Sequence, residues 1–237
     1  MEEKLRFEGT MEPFEDSIES LRQDYAQMRG VYSAAIREIN ARLETLNNEF
    51  SYRNRHNPIH HIESRVKSMP SIIKKLRAIG APISMSSAKK HLHDIAGVRV
   101  VCRYVDDIYR IADLLLAQDD VSLILEKNYI ENPKPNGYRS LHIVVDVPVY
   151  MSHGKLFTPV EIQIRTVAMD FWATLEHGIR YKATEEVPQK IVDELRECAD
   201  VITATDYKMQ EIFKVLQEVH DADDSYQEEI IPEFIQR

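Results

Sequence analysis

Glu161-Ile162-Gln163-Ile164-Arg165-Thr166 decides the fold, because apolar and polar residues alternate along it. A strand reverses its side chains at each step, so Ile162 and Ile164 face one way while Glu161, Gln163 and Arg165 share the other. An antiparallel strand with one solvated side gives the same pattern. Two further segments turn the reading toward a ligand site: His93-Asp94-Ile95-Ala96-Gly97-Val98-Arg99, and Asn136-Gly137-Tyr138-Arg139-Ser140-Leu141-His142.

Outward from this run, residues 98–104, 121–127 and 140–147 are β-branched enough for further strands beside 160–165, with a hairpin near Ser152-His153-Gly154. Asp106-Asp107 caps a helix reaching about residue 117, and residues 169–182 form another around Trp172, the single tryptophan. Residues 59–79 read as helical with a restart at Pro70, a residue suited to a first helical turn, and Gly80-Ala81-Pro82 ends the segment. Interleaved helices and strands predict an α/β (α+β) domain with a mixed sheet of about five strands.

Long helices flank this centre. Over residues 14–46, apolar residues recur in steps of four and three, a stripe long enough for part of it to pack on another subunit. A second helix is expected over 188–220, followed beyond Asp221 by an acidic tail, read as mobile, from which Ile230, Ile231 and Phe234 could dock. The expected organisation is a helical arm over 1–52, one catalytic domain over 53–182, and a helix with acidic tail over 183–237.

The 237 residues, with 43% hydrophobic and 29% charged, have the composition of an ordinary globular protein. No apolar run approaches membrane-spanning length and Met1-Glu2-Glu3-Lys4-Leu5-Arg6 lacks a signal-peptide core, so a cytoplasmic location and no membrane partner are expected. Cys102 and Cys198 read as two buried thiols with no disulfide framework or zinc cluster.

A net charge of −9 conceals a strong asymmetry. Residues 64–103 hold nine Lys or Arg and one acid, Asp94, whereas the last 55 residues hold fifteen acids against five bases. A solvated lysine-rich helix face could produce such a block, but a lone carboxylate among cations fits a metal ligand beside phosphates. Asp94 and Glu161 could converge on Mg²⁺, which takes one or two carboxylates and completes its shell with water and substrate phosphates. No Gly-rich loop runs into Lys-Ser or Lys-Thr, so phosphates must be held by side chains. Ser71, Lys74 and Lys75 share a helical face, Arg65 and Lys67 precede Pro70, and Arg99 follows Asp94. Tyr138, after the Asn136-Gly137 turn, is either an aromatic presented for stacking on a base or a half-exposed hairpin tyrosine.

Those segments, together with Phe171-Trp172-Ala173-Thr174-Leu175-Glu176-His177, resemble the synthetase domain of the RelA/SpoT family over about residues 57–182, and the length and flanking helices resemble its stand-alone small alarmone synthetases. The resemblance implies a nucleotidyltransferase-like synthetase fold that moves the β,γ-pyrophosphate of ATP to the 3′-hydroxyl of GDP or GTP. It implies that Asp94 and Glu161 hold Mg²⁺ and that Glu161 takes the hydroxyl proton. Arg65 and Arg99 would sandwich adenine, Lys67, Ser71 and Lys75 would hold ATP phosphates, and Tyr138 would stack on guanine beside Lys134, His142 and Gln163. A homotetramer is implied as well.

Two positions depart from the pattern of part of the family. Asp170 replaces an asparagine, and a carboxylate can accept from both guanine N1–H and the 2-amino group. Lys127 replaces an arginine, leaving a less rigid phosphate contact and an open choice between GDP and GTP.

Two other function classes compete with this reading. His60-His61, His91 and His93-Asp94 could belong to a metal-dependent phosphohydrolase, but Asp94 opens a strand instead of joining further ligands at helical spacing. A non-catalytic nucleotide or RNA sensor could share the fold, yet would have little use for both carboxylates. RNA stays open as an added regulatory ligand, while the acidic arms argue against broad, salt-driven affinity.

Overall fold

The computed structural model describes residues 12–53, 56–152, 154–182 and 187–235, with side chains over 20–52, 56–152, 154–179 and 187–219. The chain runs α1 (Glu12–Arg53), β1 (Ile59–Val66), α2 (Met69–Ala78), α3 (Met85–His91), β2 (Ala96–Cys102), α4 (Val105–Leu116), β3 (Ser122–Asn128), β4 (Leu141–Met151), β5 (Gly154–Thr166), α5 (Val167–Lys182) and α6 (Gln189–Ile235). The strands form one mixed sheet ordered β1-β2-β5-β4-β3, in which only β2 and β5 run parallel.

One face of the sheet supplies the core. Ile162 and Ile164 of β5, Ile143 and Val145 of β4, and Val98 and Val100 of β2 are buried. α1 lies across them with Met28, Tyr32, Ile39 and Leu43. Burying apolar area here is the main term holding the layers together, at about 25 cal/mol per Å². Each polar alternate is thereby forced onto the opposite face, where the sheet carries its chemistry.

Four expectations are corrected. Residues 59–66 are an edge strand and not a helix. Ile59, Ile62 and Val66 recur at three and four and imitate a helical stripe, but the segment pairs antiparallel with β2 from Ile59 opposite Cys102 to Val66 opposite Ala96. Helix begins only at Met69, with Pro70 in its first turn. Of the α1 stripe, part of which is expected to pack on another subunit, Met28, Tyr32, Ile36, Ile39 and Leu43 are buried in this chain's own core; exposed apolar residues lie on several elements, among them Leu123 and Leu125 on β3, Phe171 and Leu175 on α5, and Val201, Met209, Val215 and Leu216 on α6. Cys198 is exposed on α6 while Cys102 is buried. Beyond Asp221 the backbone continues as helix to Ile235, so the tail is an extension of α6.

The short helix α3 was not anticipated; Ser84 caps it by accepting from the backbone N–H of Ser87 at 3.1 Å. The expected hairpin joins β4 to β5, with Met151 opposite Gly154. His153, Met1–Arg6 and the side chains of Phe14, Ile18, Ile230, Ile231 and Phe234 lie outside the described residues.

Candidate active site

Sheet register assembles the site. Glu63, Arg99, Gln163, His142 and Lys127 are successive cross-strand partners, one from each strand. Direct partners place their side chains on the same face, so residues up to 100 positions apart in sequence form one row. The adjacent row holds Arg65, Gly97 and Glu161. A further step along β1 and its continuation brings Lys67, whose backbone N–H donates to the Ile95 carbonyl at 2.7 Å, next to Asp94.

These rows border a cleft of about 190 Å³ lined by Glu63, Arg65, Lys67, Asp94, Arg99 and Glu161, with Gln163 at its side. A larger groove of about 780 Å³ separates α1 from α4, lined by Phe50, Tyr109 and Leu114 among others. Its charged lining is Glu49, Asp106 and Asp113 with Arg110 as a single cation, so it lacks the cluster of lysine and arginine that makes the smaller cleft the candidate site.

Asp94 is the electrostatic pivot. Lys67 Nζ and Lys75 Nζ both donate to its Oδ2, each at 2.6 Å. Burial would raise the carboxyl, but the two ammonium groups outweigh it and hold Asp94 below the ordinary aspartate range. Its Oδ1 is buried and has no hydrogen-bond partner. An unsatisfied buried carboxylate oxygen on a residue that lines a cationic cleft is suited to a hard divalent cation.

Glu161 lies close enough for the charge of Asp94 to act on it. Burial again opposes ionisation, but the approach of His142 and a hydrogen bond from Gln163 lower the carboxyl below the usual glutamate value. Gln163 Nε2 donates to Oε2 at 2.9 Å. His142 Nδ1 stands 3.6 Å from Oε1, an electrostatic approach longer than a hydrogen bond. Glu161 is thus an ionised carboxylate fixed on one side and open toward the cleft. Among the described residues no group of three or more His, Cys, Asp or Glu side chains could hold a metal, so a cation here would rely on this pair, water and substrate oxygens.

The other side of the row is aromatic. Tyr138 OH and His142 Nε2 are 2.8 Å apart, and Lys134 Nζ stands 4.6 Å above the rings of both Tyr129 and Tyr138. The turn carrying Tyr138 is clamped from two sides. Asn136 donates to Glu176 of α5 at 2.9 Å, and Arg139 pairs with Asp200 of α6 at 3.1 Å. Thr166 caps α5 by accepting from Met169 N–H at 3.1 Å, while its hydroxyl donates to Asp206 of α6 at 2.6 Å.

Asp170, in the first turn of α5, has a buried Oδ1 without a hydrogen bond and lies 3.5 Å from Arg165 and 3.6 Å from Arg99. Ser71 is exposed and shares a 2.9 Å contact with Ser68 at the start of α2, outside the cleft lining. Lys127 is exposed on edge strand β3. The structure therefore gathers Asp94, Glu161, Arg65, Lys67, Lys75, Arg99 and Gln163 tightly, sets Tyr138, His142, Lys134 and Asp170 beside them, and leaves Ser71 and Lys127 at the margin.

Glu63 and Asp206 were missed, and Glu176 stood in the Phe171–His177 motif without a role. Glu63 was legible in principle, since Glu63, Arg65 and Lys67 alternate once that segment is read with a period of two. Nothing local marks Asp206, and the motif alone gives Glu176 no partner; both matter because α5 and α6 pack beside the Tyr138 turn.

A mixed sheet opening onto two carboxylates, ringed by lysine and arginine and flanked by an aromatic shelf, defines a nucleotide-handling phosphotransfer site. Comparison with known proteins gives the same class. Residues 64–186 match the family profile described as "Region found in RelA / SpoT proteins". GTP pyrophosphokinase YwaC of Bacillus subtilis is 41% identical over 199 residues, covering 84% of this chain and 95% of the relative. GTP pyrophosphokinase YjbM of the same organism is 36% identical, covering 81% and 89%. The crystal structure of small alarmone synthetase 1 from B. subtilis bound to its product pppGpp superposes with a TM-score of 0.75 at 34% identity, covering 81% of this chain and 98% of that one. The chain belongs to the RelA/SpoT family.

Proposed function

We propose that this chain is a GTP diphosphokinase, a small alarmone synthetase that transfers the β,γ-pyrophosphate of ATP to the 3′-hydroxyl of GDP or GTP, releasing AMP and forming (p)ppGpp. The observation that carries the site assignment is Asp94: one oxygen neutralised by two lysines, the other buried and unpartnered.

Asp94 and Glu161 are the ligands for Mg²⁺, which when bound draws charge from the transferred phosphates. Lys67 and Lys75 stand within reach of the same phosphates and neutralise the oxygens that the cation leaves. Arg65 and Arg99 flank the donor base. On the acceptor side Tyr138 stacks on guanine, Asp170 accepts from its N1–H and 2-amino group, and Lys134 and Lys127 meet its 5′-phosphates. Ser71 caps the donor phosphates at the mouth of α2. Glu161, ionised and held by Gln163, takes the proton of the 3′-hydroxyl as it attacks the β-phosphorus of ATP. Much of the rate derives from alignment of two bound nucleotides, which turns a bimolecular encounter into a positioned one.

The exposed apolar residues of α6 support a homo-oligomer assembled through that helix, a tetramer in this reading. No helix among the described residues is long and apolar enough to cross a membrane, which fits a cytoplasmic enzyme.

The test is incubation with labelled ATP, GDP or GTP, and magnesium, followed by chromatography. AMP formed together with a guanosine nucleotide carrying a 3′-pyrophosphate is the expected result. Binding of both nucleotides without AMP would turn the reading to a sensor.

A further inference from the structure

Along β1 and its continuation, the charged side chains that line the cleft change in character at each second residue: Lys67, then Arg65, then Glu63. At about 3.3 Å per residue, Glu63 lies ~13 Å from Lys67, on the order of the span from phosphate to base in an extended nucleotide. Lys67 marks the phosphate end, because it meets Asp94. Arg65 and Arg99 come next, and Glu63 stands at the far end, directly opposite Arg99 in the sheet register. Its Oε2 accepts from Arg99 Nη1 at 3.1 Å, which tethers the exposed carboxylate at the rim of the base pocket.

We infer that Glu63 selects the donor base, its carboxylate accepting a hydrogen bond from the exocyclic 6-amino group of adenine and repelling the 6-oxo group of a guanine or hypoxanthine. A carboxylate only accepts, so it pairs with the amino group and opposes a carbonyl oxygen. This inference rests on the donor-side reading of Arg65 and Arg99. It explains a need inherent in that reading: guanine nucleotides must enter the acceptor site and stay out of the donor site, although the two sites share the row Glu63, Arg99, Gln163, His142 and Lys127. Glu63 and Asp170 both approach Arg99, each within 3.6 Å of the same Nη1. One arginine thereby joins a carboxylate facing each base.

The experiment is a donor competition with GDP as common acceptor. Equal ATP and ITP, the latter differing by a 6-oxo group, are supplied together, and released AMP and IMP are separated by chromatography. The native chain is expected to release AMP in large excess. In Glu63→Gln, whose amide can donate to a 6-oxo group, the AMP to IMP ratio is expected to fall about tenfold, mainly through a gain in IMP. Glu63→Ala is expected to fall less, since it removes repulsion without adding a donor. An unchanged ratio in both variants while AMP still forms would overturn the role of Glu63 and leave the transfer reaction standing. An equal drop of both products would also overturn it, since that is what loss of Arg99 positioning alone would do. No monophosphate from the native chain would overturn the pyrophosphate-transfer reading beneath it.

Discussion

Gly137 lies against Ala199 so closely that a Cβ on the glycine would stand 2.5 Å from that of the alanine. The turn presenting Tyr138 is therefore seated on α6, and its backbone is left-handed at Gly137, with φ of +89°. Both the approach and the dihedral exclude any side chain there. α6 is more than a peripheral arm: it fixes the height at which the aromatic shelf stands above the sheet.

Gly137→Ala should consequently damage the acceptor side selectively. A strained left-handed alanine costs about 1–2 kcal/mol before the clash is counted. The GDP KM is expected to rise at least about tenfold, while the ATP KM stays within about twofold. Steady-state kinetics with each substrate varied in turn checks this; equal losses for both would mean a general loss of fold.

Tyr138 can be tested apart from its turn. Removing a stacked aromatic costs about 1–3 kcal/mol per base, so Tyr138→Ala should weaken GDP binding by about 5- to 150-fold. Tyr138→Phe keeps the ring and loses the 2.8 Å contact with His142, so it should retain most of the affinity. Isothermal titration with GDP separates the two; a phenylalanine variant as weak as alanine would shift the role from ring to hydroxyl.

The catalytic strands were legible because each alternates around buried isoleucine or valine: Glu161, Gln163 and Arg165 on β5, and Gly97 and Arg99 on β2, follow directly from period two. β1 was not, because edge strands bury little and Ile59, Ile62 and Val66 satisfy a helical spacing equally well. That error concealed Glu63, which no single motif marks. α1 was recognised as a helix, but the partner of its apolar face depends on tertiary packing, which periodicity alone does not specify. The clamp from α6 onto the Tyr138 turn was invisible for the same reason: Ala199, Asp200 and Asp206 are ordinary helix residues until the fold brings them to Gly137, Arg139 and Thr166.

Asp206 gives this clamp a pH signature. Burial pushes its carboxyl above the ordinary aspartate value, and the hydrogen bond from Thr166 only partly opposes that. Between the unfolded value, about 4, and the raised native one, the folded chain binds more protons than the unfolded chain, so stability falls as pH rises through that window. Asp206→Asn keeps an acceptor for the Thr166 hydroxyl and removes the titration. Its melting temperature should decline less with rising pH than that of the native chain; parallel curves would show that Asp206 contributes no such linkage.

The two carboxylates divide their labour in a way that substitution can separate. Asp94 carries two lysines on one oxygen and leaves the other bare, so its charge serves the cation and the order of the phosphate ligands. Asp94→Asn should raise the magnesium concentration needed for half-maximal rate by at least about tenfold, because a neutral amide is a weaker ligand for a hard cation. ATP binding without magnesium should survive or tighten, since Lys67 and Lys75 lose the partner that competes with phosphate for them. Glu161 is fixed by Gln163 at 2.9 Å and free toward the hydroxyl. Glu161→Gln should preserve binding of both nucleotides within a few-fold and lower kcat by about 10³ or more, as loss of a base and a charge beside the metal predicts. Magnesium titrations of AMP release, set beside calorimetry of each nucleotide, distinguish the pair. If saturating magnesium restored Glu161→Gln to the native rate, the residue would be a metal ligand only, and the proton would have to leave the 3′-hydroxyl by another route.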